Sequence, residues 1–200
     1  MSKPLKKVLN VGGNSKQIAI PEQYAGWQHD LLDIDPSNGP DIVADARLMN
    51  TLPTANYDAV YCSHNLEHYY LHDAKKVLAG FKHVLKPEGH AYIQVPDLQQ
   101  LMQQVVAEKL DIFDVLYHSP MGPIRVCDVL SGHQGKIEHS GEEYFAHKMG
   151  FMQASLRMLL LAAGFAVVAM SVSRLNITAI AFLQQPTEPQ MRMFDIRVEN

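Results

Sequence analysis

Residues 57–96 constrain the fold more than any other part of the chain: YDAVYCSHNLEHYY, a helical run, then VLKPEGHAYIQVP. They spell an apolar run, a charged loop, an amphipathic run closed by Lys86, Pro87, Glu88 and Gly89, and a second apolar run. That order is the crossover unit of a parallel sheet. Within it, residues 74–85 place Val77, Leu78, Phe81, Val84 and Leu85 at helical spacing, which predicts a helix ended by the Gly turn. Open parallel sheets bind ligands beyond the carboxyl ends of their strands. Polar residues directly after each apolar run are therefore the ones to watch.

Further short apolar runs lie at 8–11, 31–34, 42–44, 59–62 and 91–95, each bounded by Asp, Pro, Gly or Asn. A second helix is expected over 98–110, while 117–141, rich in Gly, His, Ser and Pro, reads as an excursion from the core. Residues 151–163 form an apolar helix stopped by Gly164, and the β runs 165–172 and 177–183 pair as a hairpin. At 200 residues the chain fits one domain, with a lid or substrate-binding excursion at about 98–150 and a polar tail or surface strap after Gln185.

Charge excludes some partners. With 17 basic and 21 acidic residues there is no footprint for a nucleic-acid backbone or an anionic membrane. The apolar run at 158–170 is interrupted by Gly164 and falls short of the roughly 20 residues that span a bilayer. The opening run at 8–11 is too short for a signal peptide. Cys62 and Cys127 make no disulfide framework and no CxxC pair. A soluble cytoplasmic protein with a small-molecule or protein partner is expected, its oligomeric state open.

The residues after the strands form a series: Gly12, Gly13, Asn14 and Ser15 after the first, Asp33 and Asp35 after the second, Asp45 after the third, and Ser63, His64 and Asn65 after the fourth. One nucleoside-sized ligand reaches all four. Gly12 and Gly13 let backbone approach it without Cβ interference. Asp33, about 21 residues beyond Gly12, stands where a carboxylate accepts both ribose hydroxyls.

VLNVGGNSK, LLDIDP, VADARLMNTLP, YDAVYCSHNLEH and VLKPEGHAYIQVPD resemble, in order, the motifs of the class I S-adenosylmethionine-dependent methyltransferases, particularly the type 11 group, over residues 6–97. The resemblance implies an α/β fold, a Rossmann-like three-layer sandwich around a seven-stranded, mostly parallel sheet with the last strand antiparallel. It also implies S-adenosylmethionine as cofactor. Gly12 and Gly13 would face its methionine part, Asp33 its ribose and Ile34 its adenine. Asp45, by side chain, and Ala46, by amide, would meet the adenine amino group, and Ser63, His64 and Asn65 would line the floor near the sulfonium. Asn10 stands where the family carries an acid, and Asn14 and Lys16 where it carries glycines. Asn10 can accept a hydrogen bond from the cofactor's ammonium but cannot ion-pair with it, so affinity should be modest. Lys16 either reaches the methionine carboxylate or is solvated.

Three competing readings exist. A non-catalytic binding or scaffold protein of the same fold is suggested by Asn10, Asn14 and Lys16. HxxEH at His64, Glu67 and His68 matches a zinc-hydrolase spacing, but His64 directly follows a strand, so the pair is not presented from mid-helix, and no third ligand stands out. The pattern reads as coincidence, with no metal expected. A dinucleotide fingerprint fails because Asn14 and Gln17 occupy its later glycine positions. If the acceptor must lose a proton, base candidates lie in the excursion at Asp128, His133, Glu138, His139 and His147, with His133 and His147 first.

Overall fold

The computed structural model describes residues 4–119 and 122–196. Strands β1 (Lys7–Val11), β2 (Gln28–Asp33), β3 (Ile42–Val43), β4 (Tyr57–Ser63) and β5 (Leu85–Pro96) are followed by an excursion holding a hairpin, β6 (Val115–Ser119) and β7 (Gly122–Arg125). Two later strands, β8 (Val167–Ser173) and β9 (Asn176–Phe182), complete the main sheet. Its order is β3-β2-β1-β4-β5-β9-β8, parallel except for β9, which runs antiparallel to both neighbours. This is the Rossmann-like sheet with a reversed last strand. Chain order reverses direction between β1 and β4, and the crevice outside such a switch point is where these sheets bind ligands.

Alternation along the strands sorts the core into two faces. Leu9, Val11, Leu32, Val60, Cys62, Ala91, Ile93 and Val95 point to one face and are almost fully buried there. They meet helix α1 (Leu71–Val84), whose Ala74, Val77, Leu78, Phe81 and Val84 repeat at helical spacing and are all buried. Leu85, expected to be helical, instead leaves the helix and pairs with Tyr57, so the sheet claims it. The helix α2 (Leu98–Glu108) ends at Lys109 in the left-handed region. The excursion contains, besides its hairpin, helices α3 (Val126–Ser131) and α4 (Gln134–Ser140), which its weak periodicity concealed. The apolar helix α5 (Gln153–Ala162) starts two residues later than 151, because Phe151 bridges to Asp97 and its carbonyl takes the Leu98 N–H. Among the described residues, no helix is long and apolar enough to cross a membrane.

The opposite face is thinly covered. The β1–β2 crossover contains Pro21 and Gly26 and no apolar helical repeat, and it forms only a 3₁₀ turn at Glu22–Tyr24. Tyr24, Ile20 and Trp27 cover Val8 and Ala59. Past Gln185 the chain folds back as helix α6 (Glu188–Met193), whose Met193, with Phe194 beyond it, joins this small cluster. Gln190 Nε2 secures it by donating to the Glu88 carbonyl at 2.8 Å.

This layer buries His90. Its Nε2 lies 3.1 Å from the Tyr24 hydroxyl, Phe194 meets its ring edge-on at 4.9 Å, and its Nδ1 has no hydrogen-bond partner. Burial, helped by the nearby Lys6 charge, pushes the imidazole pKa down from 6.5 to about 4. The unfolded chain then binds the extra proton between those values, so stability must fall as pH drops through that window. The expected loss from this group is about 2 kcal/mol between about pH 7 and pH 5. Urea unfolding at both pH values should show it, and His90→Leu should lose less between them than the native chain. Equal losses in the two proteins would remove His90 as the cause.

Candidate active site

A cavity of about 810 Å³ opens at the carboxyl ends of β1, β2 and β4, within the range of small-molecule sites. Asn10, Gly12, Gly13, Asn14, Asp33, Ile34, Asp45, Ser63, His64 and Asn65 all line it. Ala46 does not; its side chain is buried in the core below.

The turn after β1 is shaped for close backbone approach. Gly12 has φ +72°, donates its N–H to the Leu32 carbonyl at 2.8 Å, and a Cβ there would fall 2.1 Å from Asn65 Nδ2. At Gly13 a Cβ would fall 2.2 Å from Asn10 Nδ2. Asn10 and Asn65 therefore occupy the space that only glycine leaves over the turn. Both side-chain oxygens, Asn10 Oδ1 and Asn65 Oδ1, are buried without a hydrogen-bond partner. Leaving such groups unpaired is costly, and it points to a polar ligand in the cavity they line. Asn14 has φ +61°, a conformation Asn tolerates better than most residues, so it keeps a backbone path that a glycine would take.

Asp33 organises the next wall. One oxygen accepts the Asn14 N–H at 2.8 Å and the other the Asp35 N–H at 3.0 Å. The carboxylate ends its strand 8% exposed, with lone pairs to spare for two hydroxyls. Asp45 caps the turn after β3 and is gripped by Arg47, which donates through Nε at 2.8 and 3.0 Å and extends NH1 to Asp73 at 3.3 Å. The hydrogen-bonding Arg47 side chain holds the Asp45 carboxyl below the usual carboxylate range. Arg47 was not legible as a site residue, because nothing in ADARL marks which way the guanidinium turns.

His64 sits at φ +50° with its N–H on the Gln94 carbonyl at 2.9 Å, so it leaves the strand end in a strained turn and begins no helix. Glu67 and His68 follow in a 3₁₀ turn. Lys16, expected at the ligand or in solvent, pairs with Asp41 at 2.6 Å on the surface.

The excursion closes the far side. Lys136, Tyr144, Phe145 and Lys148 reach the cavity, with Lys136 Nζ 5.4 Å from the Phe145 ring centre and Lys148 Nζ 5.7 Å from that of Tyr70. Burial, with the Asp35 charge next, raises the Tyr144 hydroxyl pKa above its ordinary value. Neither histidine expected as a base lines the cavity. His133 caps α4, its Nδ1 accepting the Lys136 N–H at 3.3 Å. His147 lies beneath the excursion, its Nδ1 2.9 Å from the Val129 carbonyl and its ring 4.8 Å from that of His68. Both are held by main-chain groups, in His147's case one 18 residues away, that the sequence does not reveal.

Comparison with known proteins agrees with this geometry. Residues 6–93 match the family profile described as a methyltransferase domain. A SAM-dependent methyltransferase from Archaeoglobus fulgidus superposes with a TM-score of 0.54 at 16% identity, covering 89% of this chain and 86% of its own. A 1,6-didemethyltoxoflavin-N1-methyltransferase from Burkholderia thailandensis, solved with 1,6-didemethyltoxoflavin and S-adenosylhomocysteine, superposes with a TM-score of 0.52 at 16% identity, covering 89% and 71%. Among curated proteins none matches the chain. The matched motifs stand in order along the strands of this sheet, whose fold these methyltransferase structures share.

Proposed function

We propose that this chain transfers the methyl group of S-adenosylmethionine to a small-molecule or protein acceptor. The observation that carries the reading is the glycine cradle at Gly12 and Gly13 flanked by the unpaired, buried oxygens of Asn10 and Asn65. The cofactor supplies an electrophilic methyl on a sulfonium. Gly12, Gly13, Asn10 and Asn65 would hold its methionine part, Asp33 its ribose, and Ile34 and Asp45 its adenine. Methyl transfer is an in-line displacement, so this chain's contribution is alignment and exclusion of water. Ser63, His64 and Asn65 would form the floor of the reaction space, and the excursion, through Tyr144, Phe145 and Lys148, would act as its lid. An acceptor proton would pass to a group on the cavity wall, since His133 and His147 stand outside it. Two buried free cysteines, Cys62 and Cys127, support a reducing, cytoplasmic setting.

Titration calorimetry with S-adenosylhomocysteine is expected to show one site per chain. No binding up to millimolar concentration would end the proposal. The second reading, a non-catalytic protein of the same fold, is favoured by Asn10 in place of an acid and by Arg47 claiming the Asp45 carboxylate. Incorporation of labelled methyl into any acceptor at enzymatic rates would exclude it.

A further inference from the structure

Glu67 is 1% exposed, and neither of its carboxylate oxygens has a hydrogen-bond partner. The half-exposed His64 brings Nδ1 within 3.4 Å of Oε1, a long ion-pair contact that exists only when its ring is protonated and that leaves Oε2 alone. A carboxylate so placed stays charged only beside a cation. Two imidazoles stand beside it. The rings of His68 and His147 meet edge to face at 4.8 Å, and one ligand atom from each of Glu67, His68 and His147 lies within 4.8 Å of the other two.

The imidazole hydrogen bonds settle which nitrogen is available. His68 Nδ1 lies 3.1 Å from the Ala146 carbonyl and His147 Nδ1 lies 2.9 Å from the Val129 carbonyl. A carbonyl only accepts, so each Nδ1 carries a proton, and in the neutral ring the lone pair then lies on Nε2. An outer nitrogen donating to a main-chain carbonyl is the arrangement that orients metal-bound histidines. Against Glu67 and His147 there is also a small cavity of about 10 Å³, close to the volume of one water-sized sphere.

We propose that Glu67, His68 and His147 bind one divalent transition cation of the zinc type, through one carboxylate and two imidazoles, with the remaining coordination open. Two nitrogens and one oxygen suit zinc, and a three-residue set leaves a position for water or another ligand. Metal–ligand bonds of about 2.0–2.2 Å require the three donor atoms to draw together by roughly 1 Å. The cation would join the turn after β4 to the excursion where the main chains already touch, Lys148 and Met149 both donating their N–H to the Glu67 carbonyl at 2.9 and 3.1 Å. Because His68 and Lys148 also line the large cavity, the metal would fix the seat of its lid. The HxxEH spacing thus contributes Glu67 and His68 but not His64, and the third ligand comes from 79 residues further on, His147.

The test uses the full chain, stripped with a chelator, dialysed, and titrated with Zn²⁺ by calorimetry and with Co²⁺ by visible absorption. One equivalent should bind, Co²⁺ should give the bands of a low-coordinate nitrogen and oxygen site, and Zn²⁺ should raise the thermal midpoint. Glu67→Gln and His147→Ala should weaken Zn²⁺ binding at least about tenfold, with the exposed His139→Ala unchanged. Should Glu67→Gln not fold, His147→Ala carries the comparison, since His147 is only partly buried. Absence of stoichiometric binding, or native affinity in folded His147→Ala, would overturn the proposal. Titrating S-adenosylhomocysteine into the stripped protein keeps this outcome separate from that of the cofactor reading.

Discussion

Replacing Asp33 by alanine should raise the Kd for S-adenosylhomocysteine by at least about 100-fold while leaving the sheet folded. Two hydrogen bonds from ribose hydroxyls to a carboxylate contribute roughly 1.5–3 kcal/mol each. Alanine removes both acceptors. It also frees the Asn14 and Asp35 amides, which Asp33 holds at 2.8 and 3.0 Å, so the turns on either side of this wall of the cavity lose their anchor. Asp33→Asn keeps an acceptor but loses the charge, and should fall between the two. Calorimetry on the native chain and both variants, with circular dichroism as the folding control, measures the effect. Native affinity in a folded Asp33→Ala would mean that the ligand does not use the end of β2.

Phe81→Ala should destabilise the fold by about 3–5 kcal/mol, the usual cost of emptying a buried aromatic site. Phe81 is fully buried in the main cluster and centres the face that α1 lays against the sheet. The same helix anchors the Asp45 side of the cavity. Gly80 lies so close to Met49 that an added Cβ would stand 2.8 Å from its Cβ, and Asp73 in the first turn receives Arg47. Loss of Phe81 should therefore lower the urea midpoint and weaken cofactor binding together. A loss below about 1 kcal/mol would show that the core collapses around the gap without cost.

How much could be read in advance differed between the fold and the site. The strands of the parallel half and the polar residues that close them were legible because both are local signals. A buried parallel strand must be apolar, and a residue that closes it with Asp or Gly is placed at the ligand end by the sheet itself. Asp33 and the pair Gly12 and Gly13 needed no partner to be recognised. Asn14 is a subtler case. It looked like a departure from the family's pattern, but its φ of +61° shows that the requirement was for backbone conformation, which Asn also meets.

The thin second layer and the excursion were not legible. Tyr24, Trp27, Met193 and Phe194 cover one face from opposite ends of the chain, and no window of sequence contains them together. His133 and His147 were chosen for residue type within a segment expected to cover the site, but their directions are set by carbonyl and amide groups of neighbouring turns.

The segment 57–96 separates the two kinds of information. Its periodicity was enough to establish a strand, a helix and a second parallel strand, because burial of an apolar face depends only on spacing along the chain. The meaning of its HxxEH was not settled by spacing. His64 turns out to the cavity at a positive φ, while Glu67 turns in to meet His147, a residue that the fold alone brings within reach. Ligand geometry depends on distances in space between residues far apart in sequence, and only the folded chain supplies those.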